Sequence, residues 1–200
     1  MDSRSAIRRR VPSQARGRLK VECLLAAAGA EMARQGYAGA TMCGIAGRAG
    51  AAVGSLYQFY PHKEAIAEVL RERYTTAAAP LWAQLRAAAP RLPAPALAAR
   101  LVQLEFEIDR TCPGFAALLD APRTEGSARR RSQFRRRIAA VLRAWRPRLG
   151  APRALQHAAV IQQLLRGMLS LPAASRRAGW QDFEGILARY LEDRIGDLTT

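Results

Sequence analysis

The chain has 200 residues, half of them hydrophobic, so it is long and apolar enough to bury a core, which argues against disorder throughout. Its formal net charge is +16, from 32 basic and 16 acidic residues, and such an excess favours an anionic partner, either nucleic acid or an acidic membrane surface. Lys20 and Lys63 are the only lysines. A GC-rich genome would also produce this arginine and alanine bias, so part of the charge is discounted.

No targeting segment, membrane span or metal site is predicted. The longest apolar run, Cys23 to Ala30, is far below the ~20 residues that span a bilayer. The three cysteines are an odd number without CxxC spacing, which is typical of reduced thiols; they are Cys23, Cys43 and Cys112. We therefore expect a cytoplasmic protein that does not contact a membrane.

The N-terminal residues 1–16 are polar and basic, and we expect a disordered arm there. The arm is either a solvated tail or a segment that follows phosphates or enters a minor groove. An amphipathic helix is predicted next, ending near Gly36, from the spacing of Val21, Leu24, Leu25, Ala28 and Met32. Thr41 is then suited to be the N-cap of the following helix, where it also could contact a phosphate.

Two short helices with a tight turn are predicted over about residues 41–60. Ile45 and Ala46 give the first helix a small apolar side, and Gly50 permits the turn. In the second helix the inward positions, at about 100° per residue, are Val53, Leu56, Phe59 and Tyr60. This pattern is that of a helix-turn-helix, although a plain helical hairpin with a solvated polar side gives the same periodicity.

The outward face of the second helix carries no charge. Gly54 and Gln58 point directly away from the core, and Ser55 and Tyr57 flank them. An amide, a hydroxyl and a phenol beside a glycine are suited to contact base edges in a major groove. Lys63 begins the next helix, where a cation and free backbone N–H groups can hold a phosphate.

The string IAGRAGAAVGSLYQFYPHKEAI closely resembles the signature of TetR-family transcriptional regulators. The resemblance covers about the first third of the chain and is gap-free. Two departures concern operator affinity: Ala51 and Ala52 stand where a valine and a serine are common, which removes a possible N-cap hydroxyl worth about 1 kcal/mol. The order Phe59-Tyr60 also reverses the more usual pair.

The rest of the chain is helical by pattern, so the predicted fold is all-α. A connector helix is expected over Lys63 to Ala78, and Pro80, Pro90, Pro93 and Pro95 mark a domain boundary after it. A short helix is expected around Phe115 to Leu119. Four apolar stripes follow the boundary: Leu97, Leu101, Leu104 and Ile108; Phe134, Ile138, Val141, Leu142 and Trp145; Leu155, Ala158, Ile161, Leu165, Met168 and Leu169; Trp180, Phe183, Ile186, Leu187, Tyr190 and Leu191.

The resemblance implies a three-helix DNA-binding domain over 17–78 and a C-terminal helical ligand-binding and dimerisation domain over 79–200. It implies a homodimer formed by the last two helices, although packing within the domain explains those stripes nearly as well. It also implies a repressor that binds a palindromic operator and is released by a small-molecule effector. The aromatic residues Trp82, Phe106, Phe115 and Trp145 either line the effector pocket or belong to the core, and the core is favoured.

No catalytic constellation or cofactor motif is present in the sequence, so an enzyme is not expected. Glu105, Glu107 and Asp109 alternate along one helix and point in different directions. His157 lies in an apolar stripe and is expected to be packed or hydrogen-bonded. The six arginines between Arg129 and Arg137 form either a solvated face or a site for an acidic partner.

Two other functions remain open. One is an Arg-rich, sequence-indifferent nucleic-acid-binding or architectural protein, which the net charge allows. The other is an interaction protein whose helix-turn-helix serves as a scaffold. The uncharged face with Gly54 and Gln58 argues against the first, and the presence of Tyr57 and Lys63 argues against the second.

Overall fold

The computed structural model describes residues 15–196, and within that range the chain forms nine α-helices and no strand. This confirms the all-α expectation. The predicted basic arm over 1–16 lies outside the described residues except for Ala15 and Arg16, which begin α1. The helices are α1 Ala15–Gly39, α2 Met42–Arg48, α3 Val53–Phe59, α4 Lys63–Ala77, α5 Ala79–Ala88, α6 Ala94–Thr111, α7 Glu125–Trp145, α8 Ala151–Ser170 and α9 Ala173–Leu191.

The chain folds into two compact units. The N-terminal unit runs to Glu72 and includes Pro113–Ala121, whereas the C-terminal unit comprises Arg73–Cys112 and the chain from Pro122 onward. Gly36, with φ of 70°, interrupts the helical conformation of α1 where the sequence predicted its end. The fully buried side chains at the centre of the N-terminal unit come from α1 to α4 and from the C-cap of α3, and they include Leu24, Leu25, Met32, Ile45, Leu56, Tyr60 and Ile66.

The segment Pro113–Ala121 was not predicted to belong with the N-terminal unit. It contains a single 3-10 turn at Ala117–Leu119, shorter than the helix that the apolar residues suggested. Gly114 has φ of 84°, and a Cβ built there would lie 2.6 Å from the carbonyl oxygen of Gly29 in α1. Arg71 also donates a hydrogen bond to the carbonyl oxygen of Leu118 at 3.2 Å. A residue without a side chain is therefore required where this segment meets α1.

In the C-terminal unit several prolines lie at helix beginnings, where their missing N–H costs nothing. α5, α6 and α8 each have a proline in the first two positions, and Pro93 is the N-cap of α6. The predicted α6 stripe is buried throughout: Leu97, Leu101, Leu104 and Ile108. The Trp145 indole, also buried, donates to the carbonyl oxygen of Leu92 at 2.8 Å, so Trp145 belongs to the core, as the sequence favoured.

Three apolar side chains of α8 and α9 are exposed in the single chain. Leu155 is 39%, Val160 44% and Ile186 54% accessible. Leu155 and Ile186 belong to the two apolar stripes that the sequence predicted for the last two helices, and the single chain leaves both side chains exposed. Helical periodicity predicts that α8 and α9 have apolar faces. It does not predict how much of each face is covered by α6 and α7, and part of each face remains exposed.

The arginine cluster of α7 is only partly a solvated surface. Arg135 donates to the side-chain oxygen of Gln162 at 3.3 Å, and Arg137 donates to the carbonyl oxygen of Thr75 at 3.0 Å. Arg129 and Arg136 are exposed. Helical geometry explains the division, because the paired arginines flank the buried face and the exposed ones lie opposite it.

No helix among residues 15–196 is long and apolar enough to cross a membrane. The three cysteines are free thiols, as predicted, with Cys23 and Cys43 exposed and Cys112 buried. His157 accepts or donates a hydrogen bond with the Tyr190 hydroxyl at 2.9 Å, which confirms the expected hydrogen-bonded role.

Candidate nucleic-acid interface

Thr41 is the N-cap of α2, as its sequence position predicted. Its backbone is extended, and its Oγ1 accepts a hydrogen bond from the Gly44 N–H at 3.0 Å. Thr41 is exposed, so the same hydroxyl faces solvent at the beginning of a helix. Backbone N–H groups at such a position attract anions, which keeps a phosphate contact open as a prediction.

Glu31 fixes α2 against α1. It is 5% exposed, and its two oxygens accept from Arg48 Nε at 2.9 Å and from Arg34 Nη2 at 3.0 Å. These hydrogen bonds, with that of Arg48 the largest influence, hold the pKa of the Glu31 carboxyl below its usual range. A Cβ at Gly44 would lie 3.0 Å from the Glu31 carboxylate, so the small residue allows this close approach.

The turn between α2 and α3 depends on Gly50, which adopts φ of 61°. Ala52 is the N-cap of α3 and provides no side-chain hydrogen bond. Leu56 and Tyr60 are 0% and 1% exposed, so the inward face predicted for α3 is confirmed at its two principal positions. α3 therefore begins without a capping side chain and is held by its buried face.

The predicted outward face of α3 is outward in the structure. Gly54, Tyr57 and Gln58 are exposed, and Ser55 is partly so. Tyr57 is 49% accessible, so its ring and hydroxyl both reach solvent. The Gly54 Cα has open space where a side chain would be. The surface thus offers polar groups without charge and a place where another backbone can approach.

Lys63 has a structural role that the sequence did not indicate. Its ammonium donates to the carbonyl oxygens of Tyr37 at 2.6 Å, Ala40 at 2.8 Å and Ala38 at 3.3 Å. It also lies 4.4 Å from the centroid of the Tyr37 ring. The ammonium donates hydrogen bonds to carbonyl oxygens that lack helical partners because α1 is interrupted at Gly36. A phosphate that contacts Lys63 would compete with these carbonyls for the ammonium protons.

Tyr37 links the same bridge to α4. Its hydroxyl donates to Glu64 Oε1 at 2.9 Å, and burial together with this bond raises the pKa of Tyr37 to about 12. Sequence reasoning missed Tyr37, Glu64, Glu31 and Arg48. One signal was available for Glu31: it is an acidic residue three positions after Ala28, in the apolar stripe of α1.

The exposed α3, the capped α2 behind it and the glycine turn together define a helix-turn-helix DNA-binding domain. Residues 24–70 match the sequence model of the family described as "Bacterial regulatory proteins, tetR family". Residues 24–70 therefore form a DNA-binding domain of the TetR type.

Solved structures of the same fold cover most of the chain. A gamma-butyrolactone receptor (ArpA-like protein) is 18% identical, with a TM-score of 0.52 over 88% of this chain and 99% of that chain. TylP, a TetR regulator from Streptomyces fradiae, is 21% identical, with a TM-score of 0.55 over 89% and 87%. A putative transcriptional regulator from Pseudomonas aeruginosa PAO1 is 22% identical, with a TM-score of 0.51 over 91% and 96%. No curated protein sequence matched the chain.

The described residues contain no group of three or more His, Cys, Asp or Glu side chains that is placed to hold a metal ion.

Proposed function

We propose that the protein is a cytoplasmic, ligand-released repressor that binds a palindromic operator as a homodimer. The observation that carries this proposal is the exposed, uncharged face of α3. A protein that binds DNA only through phosphates needs positive charge at its contact surface, whereas Gly54, Tyr57 and Gln58 offer groups suited to base edges. Two-fold symmetry then requires half-sites separated by a whole number of helical turns.

Thr41 and Lys63 are assigned to the DNA backbone in this proposal, and Ser55 belongs with Gly54, Tyr57 and Gln58 to the face that approaches bases and neighbouring phosphates. Thr41 presents its hydroxyl at the exposed beginning of α2. Lys63 contributes mainly by holding the carbonyls of residues 37–40, which fixes the position of Thr41 beside them. The phosphate role of Lys63 is therefore smaller than a free lysine would have.

Dimerisation is assigned to the exposed faces of α8 and α9. Val160 and Ile186 lie there, and Gly167 and Gly185 have no atom within 4 Å of a built Cβ. Small residues next to exposed apolar ones allow helices of a second subunit to approach closely. An interface of this kind explains why these side chains are apolar although a single chain leaves them accessible.

The effector role is assigned to the C-terminal unit. One protein of the same fold is described as a gamma-butyrolactone receptor, which supports a small-molecule effector as the releasing signal for this chain too. Release would be a shift between two states of differing operator affinity.

Selection of bound duplexes from a random DNA pool at near-physiological salt tests the proposal. We expect a palindrome, bound by two subunits. Gln58→Ala should change the selected sequence, whereas Gln103→Ala, an exposed glutamine of α6, should select the same palindrome. Enrichment of no sequence, with binding that disappears as salt rises, would contradict the proposal and favour the Arg-rich non-specific alternative.

The dimer assignment has its own test by light scattering. Ile186→Glu introduces a charge on the exposed α9 face and should give monomers with much weaker operator binding. Gln103→Glu introduces the same charge on α6 and should leave the dimer intact. A dimeric Ile186→Glu protein would place the interface elsewhere.

A further inference from the structure

Glu105 is buried in the C-terminal unit without a hydrogen-bond donor. The residue is 0% exposed, and neither of its carboxyl oxygens accepts a hydrogen bond from any residue that the structure describes. At 100° per residue it lies between Leu101 and Ile108 on one side and Val102 and Asp109 on the other, all on the inward side of α6. Buried polar groups nearly always have a partner, so this carboxyl requires an explanation.

The acidic residues that follow on α6 have different surroundings. Asp109, one turn later, pairs with Arg176 of α9 at 3.0 Å. Glu107 is exposed and is solvated. Arg176 is therefore committed to Asp109, and Glu105 lies beside Leu101, Val102 and Ile108 without a cation paired to it among the described residues.

A second buried polar group in this unit also lacks a described partner. The indole N–H of Trp82 in α5 makes no hydrogen bond within the described part of the chain, although its ring packs edge-on against Phe134 at 5.3 Å. The buried polar atoms of the C-terminal unit without a hydrogen-bond partner among the described residues are thus the Glu105 oxygens, the Trp82 indole nitrogen, Arg146 Nε and Glu184 Oε1, and Glu105 alone among these residues is fully buried with both oxygens open. A buried polar group of this kind is what orients a small molecule in an otherwise apolar site.

The charge that a ligand carries decides how well it can pair with the buried Glu105 carboxyl. A buried carboxylate is strongly disfavoured unless a cation and N–H donors compensate it, and burial, helped by Asp109, raises the pKa of Glu105 to about 8. An alcohol supplies one donor and no charge. A protonated amine supplies up to three donors and the compensating charge, and its apolar remainder suits the leucine and isoleucine beside Glu105.

We propose that Glu105 is the effector-binding group of the C-terminal unit, and that the effector is an apolar amine whose ammonium occupies both carboxyl oxygens. The inference rests on the proposed function in one respect, namely that this unit binds a small molecule. It adds the residue that binds and the chemical class that is bound.

Isothermal titration of the full chain with matched probes tests this inference. The probes are benzylamine, phenethylamine and octylamine, each compared with the alcohol of the same carbon skeleton. The variants are Glu105→Gln, which keeps the shape and removes the charge, and Glu107→Gln, its exposed control on the same helix. We expect the amines to bind the wild type and Glu107→Gln at least about tenfold more tightly than they bind Glu105→Gln.

Three results would each overturn the inference. They are equal binding of amines and alcohols, unchanged amine affinity in Glu105→Gln, and no amine binding up to millimolar concentration. The folding of each variant is checked by circular dichroism, and Glu105→Met serves as a second uncharged replacement. These titrations contain no DNA, so they remain informative if no operator is found. If an operator is selected and an uncharged ligand releases it, the proposed function stands and the assignment to Glu105 fails.

Discussion

Glu31 and Glu105 are both buried carboxyl groups, and their surroundings show how differently the two units use polar side chains. The Glu31 carboxylate accepts hydrogen bonds from two arginines and joins α1 to α2, whereas the Glu105 carboxyl accepts no hydrogen bond from the described residues. The same contrast holds for Lys63, whose ammonium is occupied by carbonyls. The buried carboxyl of the N-terminal unit thus fixes the position of α2 on α1, whereas that of the C-terminal unit keeps both oxygens open to a ligand.

The largest expected effect is at the closest backbone contact of the N-terminal unit. Gly114→Ala should lower the free energy of unfolding by about 4 kcal/mol, because it adds a Cβ 2.6 Å from the Gly29 oxygen at φ of 84°. Urea unfolding followed by circular dichroism measures it. The control Gly47→Ala, in an open position of α2, should raise stability by about 0.5–1 kcal/mol. Equal effects would show that the contact with α1 does not constrain the segment.

The next largest effect is the pH dependence of stability caused by the Glu105 carboxyl, which has no hydrogen-bond partner among the described residues. Burial raises the pKa of Glu105 to about 8 from an ordinary 4.5, so its neutral form favours folding fully below pH 4.5, and this stability is lost as pH rises through 8. Between pH 5 and pH 8 the wild type should lose roughly 3 kcal/mol relative to Glu105→Gln. Urea unfolding of both proteins across this range measures the difference. Parallel pH profiles would show that Glu105 has a partner in solution.

Lys63 provides a smaller test of the paired unit. Lys63→Met keeps the stem and removes the ammonium, leaving the carbonyls of Tyr37 and Ala40 without it, and should cost about 2 kcal/mol of stability in the absence of DNA. Thermal unfolding measures it, with the exposed Lys20→Met as control. An unchanged stability together with weaker DNA binding would identify Lys63 as a phosphate ligand only.

The smallest effect is a gain. Ala52 is exposed and is the N-cap of α3 without a capping side chain, so Ala52→Ser should raise the stability of the N-terminal unit by about 0.5–1 kcal/mol. Ala51→Ser, one position before the cap, should not. Denaturant unfolding compares the two variants. A gain of the same size in both would argue that the hydroxyl acts by other means.

The sequence predicted those features that depend on neighbours within one or two helical turns. Thr41 was expected as an N-cap and is one, and Leu56 and Tyr60 face inward because a 3.6-residue period leaves them no other side. Glu105 was seen only as one of three alternating acids. Its burial depends on which helices cover α6, which local periodicity does not encode.

Contacts between distant segments were not predictable in the same way. The bonds from Lys63 to the bridge after α1 depend on Gly36 reversing the backbone, and the packing of Gly114 on Gly29 depends on the chain returning to α1. The exposure of Ile186 likewise depends on which surfaces α9 finds within one chain. Each of these is set by tertiary packing rather than by residue spacing.

The shortness of α2 and α3 has a consequence for dynamics. Each helix has seven residues, below the ~12–15 at which an isolated helix is even marginally stable in water. Their amide protons should therefore exchange with solvent through the same opening that exposes Leu24 and Met32, rather than by independent fraying. The surface proposed to contact DNA therefore exists only while the α1 core is closed. A cavity at Met32 would then reduce operator binding in proportion to the open population, without altering any residue that touches DNA.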